Sequence, residues 1–139
     1  MERYGEIKTR LEACCPGLEL RAEEPMSRHT SFRIGGPVPL MALPQTPQEA
    51  AAALEAARTL GVPYFVMGKG SNLLVSDEGL PVFVIKCCMS TVESLGETTL
   101  YAGGGASLAQ VAVTALERGL GGMEFAHGIP GTLGGAVFM

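Results

Sequence analysis

Val66-Met-Gly-Lys-Gly-Ser-Asn-Leu-Leu-Val75 is the stretch from which the fold can be read. The apolar run from Tyr64 to Met67 predicts a buried strand. It breaks on two glycines around Lys69, offers Ser71 and Asn72, and returns to an apolar run that predicts a further strand. Gly68 and Gly70 leave no Cβ between the backbone and a ligand. Consecutive N–H groups in such a turn form an anion-binding concavity. The stretch therefore predicts a phosphate-cradling loop at the edge of a sheet.

Just upstream, Thr46-Pro-Gln-Glu49 places Thr at the N-cap, Pro at the first helical position and Glu three residues after the cap. Ala50, Ala53, Leu54, Ala57 and Leu60 form one face of the predicted helix; Gly61 follows as the C′ residue, with Pro63 beyond. Val38 to Leu43 predicts a strand, and Pro39 points to an edge or a strand start. Strand, helix and strand over 38–43, 47–60 and 63–67 make a βαβ unit, right-handed by default. The Gly68 loop lies at the C-terminal end of its second strand, where ligands bind in open α/β sheets. Ser76-Asp-Glu-Gly79 reads as a turn and Pro81 to Ile85 as another strand.

Towards the N-terminus, Tyr4, Ile7, Leu11 and Cys14 or Cys15 recur at helical spacing until Pro16-Gly17 stops the run. Leu18 to Glu23 alternates like an edge strand, and Ser27 to Gly36 reads as a strand through Phe32 and Ile34 followed by a turn. Past residue 90, Val92 to Leu95 and Thr98 to Ala102 predict a hairpin leading to Gly103-Gly-Gly105. Ser107-Leu-Ala-Gln110 is a second capping box, with Leu108, Val111, Ala112, Ala115 and Leu116 on the inner face of a helix ended by Gly119. The glycine-rich run Gly121 to Ala136 suits neither a packed helix nor a central strand. It reads as close-approach backbone around a ligand, or as turns alone. The chain stops at Met139 directly after Ala136-Val-Phe138, the pattern expected of a truncation.

Composition narrows the function classes. The 139 residues, 47% of them hydrophobic, suffice for one domain with a real core. A net charge of −4 without a basic run weighs against nucleic acid as a partner. The charged start, Met1 to Lys8, is no signal peptide, and no apolar run reaches the ~20 residues of a membrane span. The expectation is a soluble, cytoplasmic protein with no membrane partner. Cys14-Cys15 and Cys87-Cys88 are vicinal pairs without metal or thioredoxin-type spacing, so they read as reduced thiols and no metal site is expected.

The common nucleotide motifs fail at the Gly68 loop. In the P-loop pattern Pro63 replaces the first glycine and Gly70 replaces the Ser or Thr after the lysine. In the dinucleotide fingerprint Leu73 replaces the last glycine. Gly103-x-Gly105 precedes a helix, but Leu108 stands at its third glycine.

The combination is more specific. His29-Thr-Ser-Phe-Arg-Ile-Gly-Gly36, Gly68-Lys-Gly-Ser-Asn-Leu-Leu-Val75 and Gly128-Ile-Pro-Gly-Thr-Leu-Gly-Gly-Ala136 occur in that order. Together they closely resemble the N-terminal part of the UDP-N-acetylenolpyruvoylglucosamine reductase (UDP-N-acetylmuramate dehydrogenase) family, from about His29 to Met139. The resemblance implies the α+β, two-subdomain FAD-binding fold of the vanillyl-alcohol oxidase and p-cresol methylhydroxylase type. It implies a helix and lead-in at 1–24, a first subdomain at 25–90, an incomplete second subdomain at 91–139, and a substrate domain absent from the chain.

The function so implied is the FAD-binding portion of an oxidoreductase in peptidoglycan synthesis. The family uses NADPH to convert UDP-N-acetylglucosamine enolpyruvate to UDP-N-acetylmuramate, through non-covalent FAD. Carried over by position, Met67, Gly68, Lys69, Gly70, Ser71, Asn72 and Leu73 would hold the FAD pyrophosphate. Gly128, Ile129, Pro130, Gly131, Thr132, Gly134, Gly135 and Ala136 would wrap the other side. Lys69 reads equally well as a solvated loop side chain, and His127 as a loop residue. The family's serine acid, glutamate and substrate-positioning arginine all belong beyond Met139, so no catalytic residue is assigned. The competing reading is a stand-alone flavin- or nucleotide-binding module without catalysis.

Overall fold

The computed structural model describes residues 2–139. Four strands form the main sheet: β1 (Glu19–Pro25), β2 (Pro37–Leu43), β3 (Tyr64–Met67) and β4 (Phe83–Lys86), in the order β1-β2-β4-β3. β1 runs antiparallel to β2; β4 lies parallel to both β2 and β3. The helices α1 (Glu2–Cys14) and α2 (Pro47–Thr59) share one hydrophobic cluster with Leu40, Ala42, Phe83 and Ile85 from the sheet. Met41, Leu43, Met67 and Val84 belong to a second cluster, closed by Met26 and Val75. The N-terminal segment is thus part of the sheet's own core, through Ile7, Leu11 and Leu18.

The helix boundaries follow local chemistry. Thr46 Oγ1 accepts from Glu49 N at 3.2 Å, Glu49 Oε1 accepts from Gln45 N at 3.0 Å, and Gly61 takes a φ of +62° just past the helix end. Cys14, the last residue of α1, is exposed, and Cys15 just past it packs against the core.

Four readings of the main sheet and its loops are corrected. β2 is central, between β1 and β4; Pro39 is tolerated because β4 pairing begins only at Leu40, and Glu23, opposite Pro39 and at a φ of 49°, makes no ladder pair there. The βαβ unit itself stands, its two strands parallel with β4 between them. β3 is an edge strand whose Tyr64, Phe65 and Val66 are exposed, with Met67 alone buried. Leu73 to Val75 forms no strand, although Val75 is buried. Residues 32–34 form no strand either. Met26–Arg28 make a 3-10 turn; Arg33 N then bonds Thr30 O at 3.1 Å, and Arg33 adopts a left-handed φ of 56° that turns the chain away from an extended path.

After residue 90 come the hairpin β5 (Val92–Ser94) and β6 (Leu100–Ala102), the helix α3 (Leu108–Glu117), a 3-10 turn at Glu124–Ala126 and the short helix α4 (Leu133–Phe138). Ser107 caps α3, its Oγ accepting from Gln110 N at 3.0 Å. Leu108, Ala112 and Ala126 form a third, smaller cluster with Met123 and Leu133 against it. Leu116, expected on the inner face of α3, is exposed because nothing among the described residues covers that side of the helix. α4 is a helix where irregular backbone was expected. Thr132 Oγ1 caps it by accepting from Gly135 N at 3.2 Å, and no α4 residue is buried.

Candidate functional site

The loop after β3 is built from backbone with free donors. None of the N–H groups from Gly68 through Leu73 donates to a backbone carbonyl among the described residues. Unpaired N–H groups in succession are what an anion-binding concavity requires. The loop is pinned from one side by residues 29–31. Ser31 N donates to Gly70 O at 3.1 Å, and Gly70 has a φ of +76°. A Cβ at Gly70 would collide with the His29 carbonyl, so glycine is required there on two counts.

From the other side comes the second glycine-rich stretch. A Cβ built on Gly68 would lie 2.5 Å from Thr132 Oγ1, and one on Gly131 would lie 3.0 Å from Ser71 Oγ. Thr132 is buried. Its segment is held by Leu133 N to Ala106 O at 2.8 Å, Gly134 N to Gly104 O at 2.9 Å and Leu108 N to Gly131 O at 3.2 Å. The run Gly103–Ala106 is itself tied to the strand ends: Gly105 N donates to Met89 O at 2.7 Å, and Cys87 N to Met67 O at 2.8 Å.

The residues picked out in sequence separate into two sets. Gly68, Ser71, Gly131 and Thr132 come together, with Gly70 bracing the loop from behind. Asn72 sits at its outer end, with Nδ2 3.8 Å from Met139 Sδ. Met67 and Leu73 pack their side chains into the second core cluster, leaving only backbone for a ligand. Gly128, Ile129 and Pro130 are exposed on the approach to Gly131; Gly134 lies against Gly104, and Gly135 and Ala136 belong to α4. Lys69 is exposed and faces a cleft with Arg28, Arg33 and Lys86.

Two supports stand outside the site residues picked out in sequence. The first is Gly103-Gly-Gly105, set aside as a poor dinucleotide match; its glycine run was the available signal. The second is His29, buried between Glu24 and Lys86 with Nε2 2.8 Å from Glu24 Oε1 and Nδ1 2.9 Å from Lys86 Nζ. Burial alone would raise the Glu24 carboxyl, but the hydrogen bonds from His29 and Arg21 outweigh it and hold the group below its ordinary range.

The arrangement fits a phosphate-bearing cofactor: donors without acceptors, no side chain filling the loop, and hydroxyls at Ser71 and Thr132 beside it. Among the described residues, no group of three or more His, Cys, Asp or Glu side chains is placed to hold a metal ion, and no helix is long and apolar enough to cross a membrane.

Comparison with known proteins gives the chain a family. The family described as an FAD binding domain matches residues 38–139. A UDP-N-acetylenolpyruvoylglucosamine reductase from Pelobacter propionicus is 44% identical over 128 residues, covering 88% of this chain and 43% of that protein. The chain thus spans less than half the length of the curated relatives it matches. The crystal structure of UDP-N-acetylenolpyruvylglucosamine reductase from Thermus caldophilus superposes with a TM-score of 0.61 at 33% identity, over 86% of this chain and 41% of that one. A glucooligosaccharide oxidase from Acremonium strictum shares the fold at 20% identity and a TM-score of 0.61, over 81% of this chain and 25% of its own. The α+β architecture is that of the vanillyl-alcohol oxidase and p-cresol methylhydroxylase type. By the match over 38–139, this chain belongs to the FAD-binding domain family.

Proposed function

We propose that the chain is the FAD-binding portion of an NADPH-dependent, cytoplasmic oxidoreductase that converts UDP-N-acetylglucosamine enolpyruvate to UDP-N-acetylmuramate. The observation that carries this is the row of unpaired N–H groups from Gly68 to Leu73, set against Thr132 by loops with no side chain between them. The similarity to reductases of that name supplies the substrate. The division into 25–90 and 91–139 rests on the separate third cluster around Leu108 and Ala126.

The loop amides would hold the FAD pyrophosphate non-covalently, with Ser71 and Asn72 adding side-chain donors and the 128–136 stretch closing the opposite wall. Backbone donors fixed before binding lose little freedom when an anion arrives, which favours affinity. FAD, when bound, supplies two-electron hydride chemistry between NADPH and the enolpyruvyl carbon. This chain's residues bind and orient; the proton donor is assigned to none of them.

The test is expression of the complete gene. The purified protein should be yellow, release FAD on denaturation, and oxidise NADPH only when the enolpyruvyl substrate is present. A colourless protein that takes up no added FAD would overturn the binding role. A flavoprotein inert towards that substrate would overturn the reaction alone.

A further inference from the structure

Behind the Gly68 loop, Arg28, Arg33, Lys69 and Lys86 line a cleft of about 400 Å³ together with Thr30 and Ser31. Four of the chain's ten Lys and Arg residues thus meet at one place in a protein of net charge −4. Among the described residues no carboxylate lines the cleft.

The wall is organised from beneath. An ammonium has only donors, so Lys86 Nζ donates to His29 Nδ1 at 2.9 Å, and His29 Nε2 then donates to Glu24 Oε1 at 2.8 Å. His29 and Glu24 are both buried. Glu24 also accepts from Arg21 at 3.1 Å and lies 3.8 Å from Arg28, so its single charge is shared while Lys86 has no carboxylate of its own. Arg33 is set by a left-handed backbone at a φ of 56°, fixed by Arg33 N to Thr30 O and by Thr30 Oγ1 to Ile34 O at 3.2 Å.

This cleft is not the amide row. Lys69 is the one residue of the Gly68–Leu73 loop that lines it, and no residue of 128–136 does. We propose that it is a second anion site, which takes a phosphate or pyrophosphate group through the two guanidinium groups, the two ammonium groups and the hydroxyls of Thr30 and Ser31. Planar guanidinium forks and hydroxyl donors match tetrahedral phosphate oxygens. The amide row already takes the FAD pyrophosphate, so the phosphate bound here belongs to a separate ligand, and the experiment distinguishes the two sites.

Inorganic pyrophosphate is titrated calorimetrically into the protein, first flavin-free and then saturated with FAD. The proposal predicts saturable binding in both states, weakened by added salt. Arg33→Asn keeps a residue tolerant of positive φ. It should weaken pyrophosphate binding roughly tenfold, the scale of one charge-assisted hydrogen bond, while FAD uptake, followed separately by flavin fluorescence, is unchanged. No saturable heat with the flavin-free protein would overturn the site. So would an Arg33→Asn affinity equal to that of the unmodified protein. Loss of pyrophosphate binding on FAD saturation would place that binding in the flavin's own site and overturn the second one.

Discussion

Replacing Gly68 by Ala asks whether the two glycine-rich loops meet as described. Gly68 does not have a positive φ, so its backbone accepts alanine, and the change alone would tend to stabilise by restricting the unfolded chain. Against that stands a new Cβ 2.5 Å from Thr132 Oγ1 and 3.3 Å from its Cγ2. Relief of that overlap must displace Thr132, which caps α4 and is buried between the loops. Overpacking of this kind costs about 1–3 kcal/mol.

The local readout is amide exchange at Gly134, whose N–H bonds Gly104 O at 2.9 Å only while the second loop is docked. Gly68→Ala should speed that exchange roughly five- to 150-fold, the equivalent of the overpacking penalty. Thr132→Ala alone removes the cap and should cost about 1 kcal/mol. The double variant removes both atoms that clash, leaving the nearest contact at Cβ, an ordinary 3.4 Å. Its effect should therefore fall short of the sum of the singles by about 1 kcal/mol or more. Additivity within about 0.5 kcal/mol would mean that the two residues do not touch, and the loop pairing would be refuted.

Three further predictions follow from single residues. Gly70→Val sets a branched side chain at a φ of +76° and into the His29 carbonyl, so flavin uptake should vanish and urea stability drop by about 1–3 kcal/mol; flavin content equal to the unmodified protein's would contradict the loop's role. Thr46→Ala removes the α2 cap and should cost about 1 kcal/mol in urea unfolding with no change in flavin affinity. Glu24 has a folded pKa below its unfolded one, so its contribution is complete above the unfolded value and is lost as pH falls through the folded one. Glu24→Gln should flatten the acid side of the stability curve, and an unaltered slope would show that the buried bonds to His29 and Arg21 do not set it.

Much of this was readable from residue types because the relevant physics is local. Thr46 and Ser107 announce helix starts by cap chemistry, Gly61 and Gly119 announce their ends, and each behaves so in the structure. Thr132 carries the same cap signal, but Gly134 and Gly135 concealed α4, because glycine argues against helix while a cap argues for it. The errors lay where tertiary contacts decide. Phe32 and Ile34 alternate like a strand, yet Ser31 is drawn to Gly70 and Arg33 turns left-handed. Pro39 read as a sign of an edge or a strand start, yet it sits in a central strand at a position that the ladder with β1 skips. At the candidate site the two glycine loops were legible from their sequence. The Gly103–Ala106 brace and the His29 network were not, since each depends on a distant partner, Gly134 against Gly104 and Lys86 against His29.

The central claim is that unpaired amides after β3 hold the FAD pyrophosphate, and equilibrium titration of FAD tests it most directly. With no Trp in the chain, quenching of flavin fluorescence gives an uncluttered signal. The account predicts saturable binding of one FAD per chain, weakened by Ser71→Ala and abolished by Gly70→Val. Absence of saturable binding, or binding indifferent to both changes, would contradict it.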